Sequence, residues 1–172
     1  MRMEKGSHAG GSHRRESGSD AKYDALEVLK TQHREVEDLF SRFEKSKNDK
    51  ERFSVVQAIC QKLEVHSTIE EELLYPIARN AGEDGELKEI VLQSLEEHLS
   101  VERIIDDLRE TTPGDESLRA RVNVLKEQIL HHVQEEEREL FPRLKRELPG
   151  DERRSIGEQL LARAKELDKA RH

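Results

Sequence analysis

Aromatic side chains are scarce in this chain of 172 residues: they make up 3% of it, and tryptophan is absent. A core so poor in them must be built mainly from Leu, Ile and Val. With 40% of residues charged, that favours helices with charged outer faces over sheets. There is no run of about 18 apolar residues to span a bilayer, and no apolar segment near the start that reads as a signal peptide. Basic residues are outnumbered, 30 Lys and Arg against 38 Asp and Glu, for a formal net charge of −8. Cation–phosphate attraction dominates binding to nucleic acid and to anionic membrane, so neither is expected as a partner. The expected location is the cytoplasm. The single cysteine, Cys60, has no intramolecular disulfide partner and reads as a small buried hydrophobe within a helical pattern.

The length suits one domain with a substantial core. Residues 1–20, MRMEKGSHAGGSHRRESGSD, contain almost nothing apolar, so a disordered tail is expected there, with His8 and His13 solvated. From Lys22 onward apolar residues recur at helical spacing, broken by the turn signals SKNDK (46–50), NAGEDGE (80–86), TTPGDE (111–116) and LPGDE (148–152). Helices are predicted over 21–45, 49–79, 84–110, 115–147 and 151–170. Short connections make long helices antiparallel neighbours. The predicted fold is all-α: an up-and-down four-helix bundle over 21–147, with a C-terminal helix in 148–172 packed on it through a thin face of Ile156, Leu160, Leu161 and Leu167. Pro76 and Pro142 each follow an aromatic residue and are expected to bend or stop their helices, with Tyr75 and Phe141 packing beneath the kink.

Each predicted core stripe carries a histidine near its middle. The stripes run Leu26, Leu29, His33, Val36, Phe40, Phe43; then Val56, Ile59, Leu63, His66, Glu70, Leu73, Ile77. The third is Leu87, Val91, Ser94, His98, Val101, Ile105, Leu108, and the fourth Leu118, Val122, Leu125, Ile129, His132, Glu136, Leu140. Residues four apart share a helix face, so His66 with Glu70 and His132 with Glu136 point into one space. A buried carboxylate needs positive charge or donors beside it. Antiparallel packing brings four mid-helix histidines to one depth, and a metal ion supplies the charge. Taken alone, the glutamate runs 70–72 and 135–137 read as solvated faces.

The pattern is written twice. HSTIEEELLYP from His66 is echoed by HVQEEERELFP from His132, and HREVEDLF from His33 by HLSVERII from His98. An internally duplicated hairpin predicts two similar half-sites about a pseudo-twofold axis, suited to two metal ions about 3.5–4 Å apart bridged by two carboxylates. Imidazole and carboxylate without thiolate suit iron, manganese or zinc and argue against an iron–sulfur cluster. The Glu-x-x-His motif of ferritin-like di-iron proteins is missing, since Lys30, Leu63, Leu95 and Ile129 stand three residues before the four histidines.

That order, histidine before carboxylate, resembles the hemerythrin-like family, also called the HHE cation-binding domain, over about residues 22–147. The resemblance implies His33, His66, His98 and His132 as terminal ligands, and Glu70 and Glu136 as bridging carboxylates, of a non-haem di-iron centre with an oxo or hydroxo bridge. Two departures stand out. Where oxygen-carrying members have a second histidine on the third helix this chain has Glu102, and their wider spacing on the fourth helix would pair His131 with Glu136. The internal repeat selects His132 and leaves His131 flanking. Glu102 and its repeat partner Glu37 are left either to orient histidines or, for Glu102, to replace the missing ligand. An anionic oxygen in place of imidazole favours the ferric state over reversible oxygen transport. The function implied is to bind or sense oxygen, peroxide or nitric oxide. The alternatives are a di-iron enzyme consuming peroxide or reducing nitric oxide, an iron-handling protein, and a helical adaptor whose site only supports the fold.

Overall fold

A computed structural model describes residues 23–82 and 85–170, so the stretch expected to be a disordered tail lies outside the described residues. Helix α1 is Ala25–Lys45. Helix α2 is Asp49–Ile69, which continues through a π-helical turn, Glu70–Leu74, into a short α-helical end, Tyr75–Ala78. Helix α3 is Glu86–Arg109. Helix α4 repeats the design of α2, with Leu118–Glu135, a π-helical turn at Glu136–Leu140 and the end Phe141–Glu147. Helix α5 is Gly150–Ala170. Among the described residues there is no strand, and no helix is long and apolar enough to cross a membrane.

Consecutive helices α1 to α4 pack against one another in an up-and-down bundle, and α5 lies along α1, α2 and the first π turn, on one side of the bundle. The ends are set locally. Asp24 caps α1 by accepting from the Leu26 N–H at 3.0 Å, and Asn48 caps α2 by accepting from the Glu51 N–H at 2.9 Å. Gly85 supplies the left-handed turn, φ 77°, that starts α3. Asp24 also accepts from Arg153 Nε at 2.7 Å, so one carboxylate both caps α1 and anchors α5. Of the predicted α5 face, Ile156 and Leu160 are buried, Leu167 packs at the edge and Leu161 is exposed.

The apolar core is divided in two. One cluster contains Leu29, Ile69, Leu74, Tyr75, Leu140, Phe141 and Leu144; the other contains Val36, Phe40, Phe43, Ile59, Cys60, Val101, Ile105 and Leu125. The histidines fall between them: along α1, Leu29 belongs to the first, Val36 to the second, and His33 separates the two. Each fully buried large apolar side chain contributes roughly 1.5–3 kcal/mol. Two such layers can hold a costly polar layer in place.

Neither proline stops its helix. A mid-helix proline lacks its N–H and presses on the carbonyl four residues back, and a widened turn relieves both. Tyr75 N–H bonds to the Glu70 carbonyl and Phe141 N–H to that of Glu136, five residues apart instead of four. The extra residue also shifts the inward face. Leu73 and Ile77, predicted for the core, are only half-buried, and Leu74, Tyr75 and Ala78 take their places.

Candidate metal centre

The six side chains expected at a metal site come together: His33 from α1, His66 and Glu70 from α2, His98 from α3, His132 and Glu136 from α4. All are buried, Glu70 and Glu136 almost completely. The imidazoles form two pairs, with His33 Nε2 and His66 Nε2 3.2 Å apart and His98 Nε2 and His132 Nε2 also 3.2 Å apart. Each glutamate lies across both pairs. Glu70 Oε2 is 3.3 Å from His66 Nε2 and 3.5 Å from His98 Nε2. Glu136 Oε2 is 3.3 Å from His33 Nε2 and 3.7 Å from His132 Nε2. The donor atoms form two sets compact enough for a metal ion, one of His33, His66, Glu70 and Glu136, the other of Glu70, His98 and His132.

Outward-facing partners orient every ring. His33 Nδ1 donates to Glu137 Oε1 at 2.9 Å, His66 Nδ1 to Gln32 Oε1 at 2.8 Å, His98 Nδ1 to Glu71 Oε1 at 2.7 Å and His132 Nδ1 to Glu97 Oε2 at 2.7 Å. All four partners are acceptors, so the Nδ1 atoms carry the protons and a neutral ring turns a bare Nε2 lone pair inward. Four lone pairs and two carboxylates therefore converge on one space. This is the outer-partner arrangement of metal-binding imidazoles, fixing tautomer and ring angle together.

Burial and the Glu136 charge push the Glu70 carboxyl well above its usual range. Burial acts on Glu136 in the same direction, but the imidazoles of His132 and His33 outweigh it and hold that carboxyl low. Burial, with the charge of His33, drives His66 well below the ordinary imidazole value. Burial opposes His132 too, yet Glu136 and Glu97 raise it. Glu97 itself is lowered to about 2, its burial outweighed by the hydrogen bonds from His132 and Gln93. Glu70 Oε1 and Glu136 Oε2 are buried with no hydrogen bond, each at a cost of roughly 1–3 kcal/mol on general grounds. A cation between the glutamates would satisfy both orphaned oxygens, so the donor set fits a metal.

Some residues take roles other than those expected. Glu102 is exposed in the α2–α3 cleft, outside the donor sets, and Glu37 pairs with Arg34 at 2.7 Å. His131 is exposed and flanking. The histidine-orienting carboxylates are instead Glu71, Glu97 and Glu137, two of them from runs that read as solvated faces. The signal available for them was the repeat itself: Glu71 aligns with Glu137, and the residue before each lone histidine, Gln32 or Glu97, holds the ring of the following helix. Tyr75 is more than packing. Its hydroxyl donates to Glu136 Oε1 at 3.0 Å, with Glu70 Oε2 and His98 Nε2 each 3.4 Å away. Burial, with the charges of Glu136 and Glu70, raises its pKa well above the usual phenol value, so it stays a neutral donor. The π turn makes this contact possible by bringing the residue five positions after Glu70 back to the same face. Its repeat partner Phe141 lies parallel to the His33 ring, centroids 5.9 Å apart.

A polar cleft of about 740 Å³ between α2 and α3 reaches the site at His98 and Glu71, its walls including Glu64, Glu102, Asp106 and Arg109.

In structure, the chain is similar to a hemerythrin HHE cation binding domain-containing protein from Mycobacterium kansasii solved by crystallography. The TM-score is 0.71 at 23% identity, over 86% of this chain and 88% of the other, a likeness of fold. In sequence it is similar to a DNA nickase from Nostoc sp., 25% identical over 126 residues; the match takes in 73% of this chain but 35% of that protein, so the chain spans about a third of its relative's length. The hemerythrin HHE cation-binding domain model matches residues 24–144, which take in the four helices of the bundle up to the last turn of α4 and all six inward ligand-type side chains, and the chain belongs to that cation-binding family.

Proposed function

We propose that the cluster holds two non-haem iron ions, for which His33 with His66 and His98 with His132 would each supply one position and Glu70 and Glu136 the shared carboxylates, and that the centre binds or senses oxygen, peroxide or nitric oxide. The observation that carries this reading is the convergence of four outward-anchored imidazoles and two carboxylates, each with one orphaned oxygen, on one buried space. Six donors from four helices exceed what a closed structural zinc site uses, and the absence of thiolate suits iron. When bound, a pair of iron ions supplies Lewis acidity and electrons for a small oxygen or nitrogen ligand.

The protein's own groups set how that chemistry proceeds. Glu71, Glu97, Glu137 and Gln32 hold the rings in one tautomer. Phe141 and the two apolar clusters exclude water from the His33 side. The polar α2–α3 cleft offers a small molecule a way to the His98 side, where Tyr75 holds a proton on its hydroxyl. That proton donor favours a second reading, a catalyst that consumes peroxide, because cleaving an oxygen–oxygen bond calls for proton delivery.

The test is elemental mass spectrometry of protein expressed with supplemental iron, with optical spectra before and after azide and hydrogen peroxide. About two irons per chain and an azide-responsive near-ultraviolet band are expected. Zinc alone, or no metal, would sink the di-iron reading; iron without any response to azide or peroxide would leave a structural site.

A further inference from the structure

The inner histidine pairs are closely twofold in arrangement, each with its Nε2 atoms 3.2 Å apart, whereas the groups behind them are not. Behind His33 stands Glu137, whose two oxygens accept from Arg34 at 2.7 and 2.6 Å, with Arg34 also donating to Glu37 at 2.7 Å, so the Glu137 charge is offset in part. Behind His66 stands Gln32, an uncharged amide. The histidine pair of α1 and α2 is thus backed by one partly neutralised carboxylate and an amide. Behind His98 stands Glu71 and behind His132 stands Glu97. Among the described residues no Lys or Arg pairs with either of them; around Glu97 stand the Gln93 amide at 3.2 Å, the exposed His131 at 4.0 Å and the Glu135 carboxyl. The pair of α3 and α4 is backed by two carboxylates.

A carboxylate accepting the Nδ1 proton draws it toward itself and makes Nε2 a stronger donor, whereas an amide or a neutralised carboxylate does this far less. Placement compounds the difference. The hydroxyl of Tyr75 sits 3.4 Å from His98 Nε2, and the polar cleft reaches that same ring, while the parallel Phe141 ring packs on His33. Glu70 and Glu136 lie across both pairs but not evenly: Glu70 belongs to both compact donor sets and Glu136 only to that of His33 and His66, so the outer partners must outweigh one inner carboxylate.

Building on the dinuclear reading, we propose that the two metal positions are inequivalent by construction: the His98–His132 position takes the first divalent cation and holds it more tightly, and the His33–His66 position fills second. Glu97, Glu71, Gln32 and Arg34 are the positioning residues that set this order. Outer-sphere partners of this kind typically change metal affinity by about 10–100-fold, and stepwise constants separated by that factor are expected.

The experiment is a titration of the metal-stripped full chain with Zn²⁺, chosen as a diamagnetic probe. The nitrogen resonances of each histidine ring are followed by NMR and the stepwise constants measured by chelator competition. The first equivalent should shift His98 and His132 and the second His33 and His66. Glu97→Gln should bring the two constants together by lowering the first. Gln32→Glu should do so by raising the second, and it guards against an effect that merely loosens the fold. If His33 and His66 fill first, if both pairs fill together, or if Glu97→Gln leaves the order and spacing of the constants unchanged, the assignment is overturned. Capacity for fewer than two ions would instead overturn the dinuclear reading beneath it, and the inference with it.

Discussion

His66 and His132 occupy the same place in the hairpins α1–α2 and α3–α4, yet one leans on the amide of Gln32 and the other on the carboxylate of Glu97. Five residues beyond their paired glutamates the hairpins part again: Tyr75 sends a hydroxyl into the cluster, and Phe141 offers only a ring face. They part a third time on the outside. Glu72, third in the first glutamate run, takes Arg163 of α5 at 2.7 and 3.0 Å, where the repeat partner of Glu72 is Arg138. The repeat keeps the groups that face inward and varies those that face the rest of the protein. Shared ligands must match in type and spacing, while each outward partner answers only to its own neighbour.

The largest effect expected is at Glu70 and Glu136. Glu70→Ala and Glu136→Ala each remove a carboxylate that lies across both histidine pairs, so under the proposed two-ion reading each should reduce bound metal from about two ions per chain to nearly none. Elemental analysis after purification measures this. If one variant kept a full ion while the other lost both, the glutamates would not serve the two sides alike.

Tyr75→Phe copies the second hairpin's chemistry into the first. Metal content should be retained, and reaction with hydrogen peroxide in stopped-flow optical mixing should slow by about 10²-fold or more, the low end for losing a positioned proton donor. An unchanged rate would return Tyr75 to packing alone.

Gly157→Ala tests why only one hairpin carries α5. A Cβ at Gly157 would stand 1.8 Å from the Tyr23 carbonyl oxygen, so α5 could not keep its seat against the start of α1. Destabilisation of about 1–3 kcal/mol is expected from overpacking, read by chemical denaturation. Metal stoichiometry should be unchanged, because α5 supplies none of the six inward groups.

The smallest effect concerns protons on metal-stripped protein. His132 is raised, chiefly by Glu136 and Glu97 acting against burial, and His66 is lowered, chiefly by burial. NMR titration should therefore find His132 protonating at the higher pH. Stability gained from His132 is present in full below the ordinary imidazole value of about 6.5 and lost as pH rises through its raised value. For His66 the sign reverses: keeping that ring neutral costs stability as pH falls below about 6.5. Glu97→Gln should lower the His132 value and leave His66 nearly where it is; equal movement of both would mean that the difference lies in burial alone.

Much of this was legible in the chain. The stripes of α1, α3 and α4 are buried as their spacing predicts, and Cys60 is in the core, where burial pushes its thiol up to about 11. The stripe of α2 failed after Glu70, because a helical period carried past Pro76 takes no account of the residue the π turn inserts. For Glu102, whose role was open between orienting a histidine and ligation, the family resemblance gives a position along α3, whereas the rotation of α3 that turns Glu102 to solvent is set by packing.

Helix positions, the inward histidines and the His-to-Glu spacing belong to the sequence by itself, because helical periodicity and four-residue neighbours are local. Only the tertiary structure decided which group stands behind each ring, for those partners lie 27 to 104 residues away along the chain. It likewise decided that α5 covers the first hairpin and that the hydroxyl of Tyr75 reaches the centre. Such matters turn on the relative rotation of packed helices, which depends on the fit of both surfaces and is carried by neither one alone.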